Sequence, residues 1–323
     1  MWTTLACLAV CALQPGVADN TAAMRKVEWL VGEWAGAGEL SDMGKYGYDI
    51  GFEWALGRNF LKVTQTVKTA EATLWHSTGF FGWDAKKKQF VWFQFGFDGT
   101  VGWTRTKDAG EEALVVMEGR LSGGGPFSNF RTTFKKTGKD AMNNRLEFLG
   151  GKEPQLFTAT DFTRQAKAAA HKAPADDAGH MKKAEWVLGS WVATWEEGSE
   201  FDDEYRFEKV QNGNFIRSEY TLRKRGKVVW QDAGMIGYDA ERKKYVVLNF
   251  GMDGTIGWTE GDDPADGDCF VQEGETVGPN ESLKFRATFR KVDADTMSAK
   301  MEKKEGERWV PMELERIRKR KKP

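Results

Sequence analysis

The sequence predicts an all-β chain made of two tandem antiparallel β-barrels of about ten strands each. Three observations carry this. Residues 79–104, GFFGWDAKKKQFVWFQFGFDGTVGWT, return at 234–259 as GMIGYDAERKKYVVLNFGMDGTIGWT, at a constant offset of 155 and with 14 of 26 positions identical. Each copy reads as two hairpins: an apolar run, a polar turn opened by Asp84 or Asp239, a second apolar run, then Asp98-Gly99 or Asp253-Gly254. Finally, no stretch outside these runs has the helical periodicity needed to cross over a parallel sheet, and 323 residues suit two domains.

At the N-terminus, residues 1–18 hold an uncharged apolar run from Leu5 to Leu13, a Pro15-Gly16 break, and Val17-Ala18 ahead of Asp19. That is the order of a signal peptide, with a weak n-region because no Lys or Arg precedes Met24. The expected location is secreted or periplasmic. The apolar run is too short to span a bilayer, and no later run reaches the required ~18 residues. Cys7 and Cys11 lie in this segment and only Cys269 lies beyond it, so no intramolecular disulfide is expected after cleavage.

The first barrel is expected over 24–164. It opens with MRKVEWLVGEW, one short helical turn leading through Gly32 into a strand at Trp34, and MKKAEWVLGSW repeats this with Gly189 and Trp191. Residues 46–55 and 60–63, with a turn at Gly57-Arg58-Asn59 between them, read as the next hairpin, and 205–210 and 215–218 answer them. Further strands follow at 113–119, 127–134, 146–149 and 156–164, matched by 269–273, 283–289, 297–301 and 310–318. Between the halves, 165–183 is Ala-, Lys- and Asp-rich with one large apolar residue, Met181, and reads as a solvated linker. The second barrel is expected over 184–318, with a basic tail at 319–323.

Formal net charge is −1, which provides no overall field to gather nucleic acid. The two halves share no His at any aligned position, so a nucleophile-and-base set is absent from the repeat. Gly123 to Pro126 leads into no helix and is not a phosphate cradle. The recurring acids Asp84, Asp98, Asp239 and Asp253 sit in turns, where Asp bonds its own backbone. Asp202, Asp203 and Glu204, like Asp262, Asp263 and Asp266, occur in one half only and read as solvated loops rather than metal ligands. No metal and no cofactor is expected.

Binding is favoured over catalysis because 21 Phe and 14 Trp exceed what turns and surfaces use, and a barrel of this size can enclose one small ligand. An interaction protein without a ligand is the alternative. A two-residue turn at Asp98-Gly99 would set Gln94 opposite Trp103, on one face with Trp92. The second copy would set Asn249 opposite Trp258, beside Val247. These six residues are the candidate ligand-binding set. Sequence parity leaves the opposite face, with Val91, Phe93, Phe95, Val246, Leu248 and Phe250, as the alternative interior.

The opening WLVGEWAGAGEL, the Gly82-Trp83-Asp84 and Gly237-Tyr238-Asp239 hairpins, and the ten-strand meander resemble the lipocalin-like (calycin-type) barrels. More narrowly, they resemble a bacterial domain of unknown function that opens Leu-x-Gly-x-Trp-x-Gly. Here the matching residues are Gly32, Trp34 and Gly36, then Gly189 and Trp191, with Ala193 where the trailing Gly would stand. The resemblance implies that a basic side chain of the last strand covers the first-strand Trp. By strand parity Arg164 would lie over Trp34 and Arg316, or else Arg318, over Trp191. The opening also resembles haem-binding nitrobindin-like barrels, but their proximal His near the last strand has no counterpart among His76, His171 and His180.

Overall fold

The computed structural model describes residues 20–40, 44–106, 113–122, 129–166, 181–193, 195, 198–239, 242–262, 267–278, 282–312 and 315–321. The expected signal peptide, most of the expected linker and the Gly123 to Pro126 loop lie outside the described residues. Two compact units are present, divided between Asp177 and Ala178.

In the first unit a short helix, Asn20–Arg25, and a 3₁₀ turn, Glu28–Leu30, precede ten strands. These are β1 (Gly32–Leu40), β2 (Gly44–Ala55), β3 (Phe60–Lys68), β4 (Thr73–Asp84), β5 (Gln89–Gly96), β6 (Val101–Thr106), β7 (Leu114–Ser122), β8 (Asn129–Lys136), β9 (Ala141–Phe148) and β10 (Gln155–Gln165). Each pairs antiparallel with the next, and β10 returns to β1 with Arg164 opposite Trp34, which closes the barrel. Alternation sends one side chain in two inward. Trp34, Phe52, Phe81, Phe90, Trp92 and Phe134 thereby fill the interior, and Met24, Val27 and Leu30 of the N-terminal turns join the same core.

The second unit repeats this plan. After a 3₁₀ turn, Lys182–Val187, come β11 (Gly189–Ala193), β12 (Phe201–Val210), β13 (Phe215–Lys224), β14 (Lys227–Asp239), β15 (Lys244–Gly251) and β16 (Ile256–Asp262). They are followed by β17 (Cys269–Val277), β18 (Ser282–Lys291), β19 (Thr296–Glu305), β20 (Arg308–Pro311) and β21 (Arg316–Arg320). The ladder runs antiparallel from β11 to β19, and β19 then pairs with β20 at one end and β21 at the other. Since β21 pairs with β11, the ring closes, and β20 with β21 together fill the place that β10 holds in the first barrel.

Two expectations are corrected here. The basic residues Lys319 and Arg320 are not tail: they belong to β21, because the last strand is interrupted between Pro311 and Arg316 and resumes later than a continuous run would. Likewise Asp202, Asp203 and Glu204 are strand residues of β12, not loop.

Candidate functional site

Both barrels are closed at one end by the same set of contacts. Trp34 is buried, donates its indole N–H to the Leu30 carbonyl at 2.7 Å, and carries the Arg164 guanidinium 4.1 Å above its ring. Arg164 also donates to the carbonyls of Val31 and Trp29. In the second barrel Trp191 donates to Val187 O at 2.6 Å and lies 4.2 Å beneath the guanidinium of Arg320, which donates to Leu188 and Trp186 carbonyls. Gly32 (φ +126°) and Gly189 (φ +108°) are needed twice over: each has a backbone conformation that L residues avoid, and a Cβ there would meet the arginine at 2.3 and 2.8 Å.

The covering residue in the second barrel is therefore Arg320, not Arg316 or Arg318. The interruption before Arg316 carries the chain further before it reaches Trp191, whereas the first barrel has only a bulge between Leu156 and Thr158. Arg316 instead stacks 3.8 Å over Trp195.

The register at the Asp-Gly turns also differs from expectation. Gly96 N–H donates to Thr100 O, and Gly99, at φ +86°, donates back to Gly96 O. The loop thus has three residues with glycine in the left-handed position, not two in a type I′ turn. Asp98 accepts the Thr100 N–H at 2.9 Å, and Asp253 repeats this with Thr255. One extra residue reverses the face of everything beyond it. Gln94 pairs with Gly102 and Trp103 with Phe93; Asn249 pairs with Gly257 and Trp258 with Leu248. Trp92, Gln94, Val247 and Asn249 therefore point into the barrels. Trp103 and Trp258 point out, Trp103 being 36% exposed and Trp258 donating to Glu260 at 3.1 Å. The alternative face with Val91, Phe93, Phe95, Val246, Leu248 and Phe250 is the outer one.

Inside the second barrel lies a cavity of about 210 Å³. Its apolar wall includes Tyr205, Phe207, Trp230, Val247, Phe270 and Phe289; its polar wall includes Ser218, Asp232, Asn249, Thr259 and Gln272. Ala184 and Val187 of the 3₁₀ turn also line it. Space exists here because the second barrel carries smaller side chains at interior positions that the first fills: Val247 stands for Trp92, Ile236 for Phe81, Ala287 for Thr132 and Ala299 for Asn144.

Beside the cavity is a buried charged network. Arg318 forks onto Asp203 with contacts of 2.7 and 3.1 Å, and the two side chains are 3% and 0% exposed. Asp203 also accepts the Tyr220 hydroxyl at 3.0 Å and the Ala193 N–H at 3.1 Å, while Arg318 stacks 4.6 Å from the Tyr205 ring. Burial pushes the Tyr220 phenol far up, helped by the Asp203 charge. Across the ladder from Tyr220, Asp232 accepts the Trp230 indole N–H at 3.2 Å. Burial pushes its carboxyl up to about 7, against the opposing effects of the Trp230 hydrogen bond and the Arg318 charge.

Asp203, Tyr220, Trp230, Asp232, Gln272 and Arg318 were not singled out as a site from the sequence. The available signal was disagreement between the copies at the constant offset of 155, where Ser77 becomes Asp232 and Gln65 becomes Tyr220. Among the described residues no group of three His, Cys, Asp or Glu side chains is placed to hold a metal ion. Nor is any described helix long and apolar enough to cross a membrane.

The second barrel has a counterpart among protein families. Residues 182–318 match the model of DUF1579, a protein family of unknown function. No curated protein matches the chain. Among solved structures, Rv2717c from M. tuberculosis is 19% identical over 44% of this chain and 97% of its own, with a TM-score of 0.35. A DUF3598-family protein of unknown function from Nostoc punctiforme is 10% identical, covering 92% of this chain and 98% of its own, with a TM-score of 0.25. A double mutant of the vaccine antigen Transferrin Binding Protein B from Haemophilus parasuis is 10% identical over 90% and 75%, with a TM-score of 0.19. Likenesses at these scores carry no inference about activity.

Proposed function

We propose that this protein binds one small, largely apolar ligand without transforming it, and that the site is the interior of the second barrel. The supporting observation is the 210 Å³ cavity with aromatic walls and a few inward amides and hydroxyls, Asn249 and Gln272 among them. Such a lining desolvates a ring while fixing the direction of one polar group. A cavity of about 150 Å³ accommodates benzene, so this one has room for a single ring with a short polar arm. The first barrel, with Trp92 2% exposed at the position of Val247, acts as the filled partner. The apolar segment at residues 1–18 supports export to a secreted or periplasmic location.

Mass spectrometry of molecules released by denaturing the purified protein tests the reading. The expected result is a one-ring compound from the wild type that is missing from Val247→Trp, whose indole would occupy the cavity. Equal release from both proteins would place binding elsewhere.

A further inference from the structure

We propose that the second barrel selects an organic cation, a one-ring primary amine whose ammonium sits on Asp232 while its ring packs among Tyr205, Phe207, Phe270 and Phe289. This rests on the cavity reading above and adds the chemical class of the ligand.

The argument starts from charge balance. Among the described residues lining the cavity there is one carboxyl, Asp232, and no basic side chain. The nearby cation, Arg318, is committed: both its terminal nitrogens are on Asp203. That pair largely neutralises itself, so an ionised Asp232 has only the Trp230 hydrogen bond and the residual Arg318 charge to offset its burial, which is costly unless a cation enters with the ligand.

Other titratable or charged groups at inward parity have partners of their own: Tyr238 and Tyr245 pack ring against ring at 5.1 Å, and Lys209 donates to Glu185 at 2.6 Å. Tyr220 on β13 gives its hydroxyl to Asp203, and Tyr205 on β12 lies against Arg318. Arg316 on β21 stacks on Trp195, and Lys303 on β19 pairs with Glu305 at 2.7 Å. Trp230 holds one carboxylate oxygen of Asp232 and so orients the group. The surrounding rings offer the negative π faces that attract an ammonium.

The raised carboxyl value agrees with this geometry and fixes a signature. An amine that stays protonated needs Asp232 ionised, so its affinity should hold above about pH 7 and fall about tenfold per unit below it. A neutral ligand of the same shape needs no such ionisation.

The test is calorimetric titration of the full chain with benzylamine and with benzyl alcohol between about pH 5 and 8. Benzylamine is expected to bind at least tenfold more tightly than benzyl alcohol at pH 8, and to lose about 50-fold in affinity between pH 7 and pH 5. Benzyl alcohol should show no such dependence. Asp232→Asn should retain the alcohol and lose the preference for the amine. Asp232→Ser, the residue the first barrel carries at this position, provides the same comparison if the asparagine variant fails to fold. Equal affinities in the wild type at pH 8, or an amine preference that survives in a folded Asp232 variant, would overturn the cation inference while leaving the cavity reading intact. Binding of neither compound would overturn both.

Discussion

Where the first barrel places Tyr48, Gln65, Ser77 and Phe162, the second places Asp203, Tyr220, Asp232 and Arg318 on the corresponding inward positions of the same ladders. The first set makes a neutral network. Tyr48 donates to Gln65, whose amide donates to Ser77 at 3.1 Å and to Gln94 at 2.9 Å, and Phe162 meets the Tyr48 ring edge-on at 5.0 Å. The second set is ionic and borders a cavity. One frame, closed by one Gly-x-Trp-Arg arrangement, thus tolerates either interior. The closing contacts are repeated between the copies, and the residues that differ at inward parity are where a ligand would be read.

The largest expected effect separates the two networks. Asp203→Ala would strand the buried Arg318 guanidinium and should cost about 3 to 5 kcal/mol, whereas Tyr48→Phe removes one neutral hydrogen bond and should cost about 1 kcal/mol. Denaturant titrations of both variants decide the matter, and equal costs would mean the two interiors are energetically alike.

Next in size is the exchange of the cavity-setting residue. Trp92→Val should cost roughly 3 kcal/mol by opening a void in a filled core. Val247→Trp should cost less than that, because the space already exists. If Val247→Trp is the more damaging of the two, the cavity is smaller than its walls imply.

The pH dependence comes third. Asp232 titrates at about 7 when folded and near its ordinary 3.8 when unfolded, so between these values the folded chain holds a proton that the unfolded chain has lost. Its contribution is therefore greatest below about pH 4, declines as pH rises to about 7, and is level above. The wild type should lose about 1 to 3 kcal/mol over this window relative to Asp232→Asn, allowing for partial access of water to the cavity. Parallel stability curves for the two proteins would show that the carboxyl is not perturbed.

The smallest effect belongs to the exposed Trp103 of the outer face. Trp103→Ala should change stability by about 1 kcal/mol or less and leave ligand release untouched. A loss comparable to that of Trp92→Val would return Trp103 to the interior.

Much of the frame was legible in the sequence because the repeat exposes it: two copies of Gly-x-Trp and of the central hairpins fix strand order without reference to side-chain contacts. The interior was half legible. Trp92, Gln94, Val247 and Asn249 lie inside, but a two-residue turn at Asp-Gly puts Trp103 and Trp258 on the wrong face. Asp98 in fact caps a three-residue loop with Gly99 left-handed. Arg316 fails as the cover of Trp191 for a related reason, since parity counted from Val310 ignores the break before β21. The charged network escaped because Asp203 and Arg318, 115 residues apart, look like surface charges until the barrel closes and puts them together.

Calorimetric titration with benzyl alcohol, a neutral single ring with one short polar arm, tests most directly whether the second barrel alone supplies the site. The account predicts about one equivalent bound by the wild type and by Trp103→Ala, and none by Val247→Trp with its fold intact. Undiminished binding by a folded Val247→Trp would contradict it.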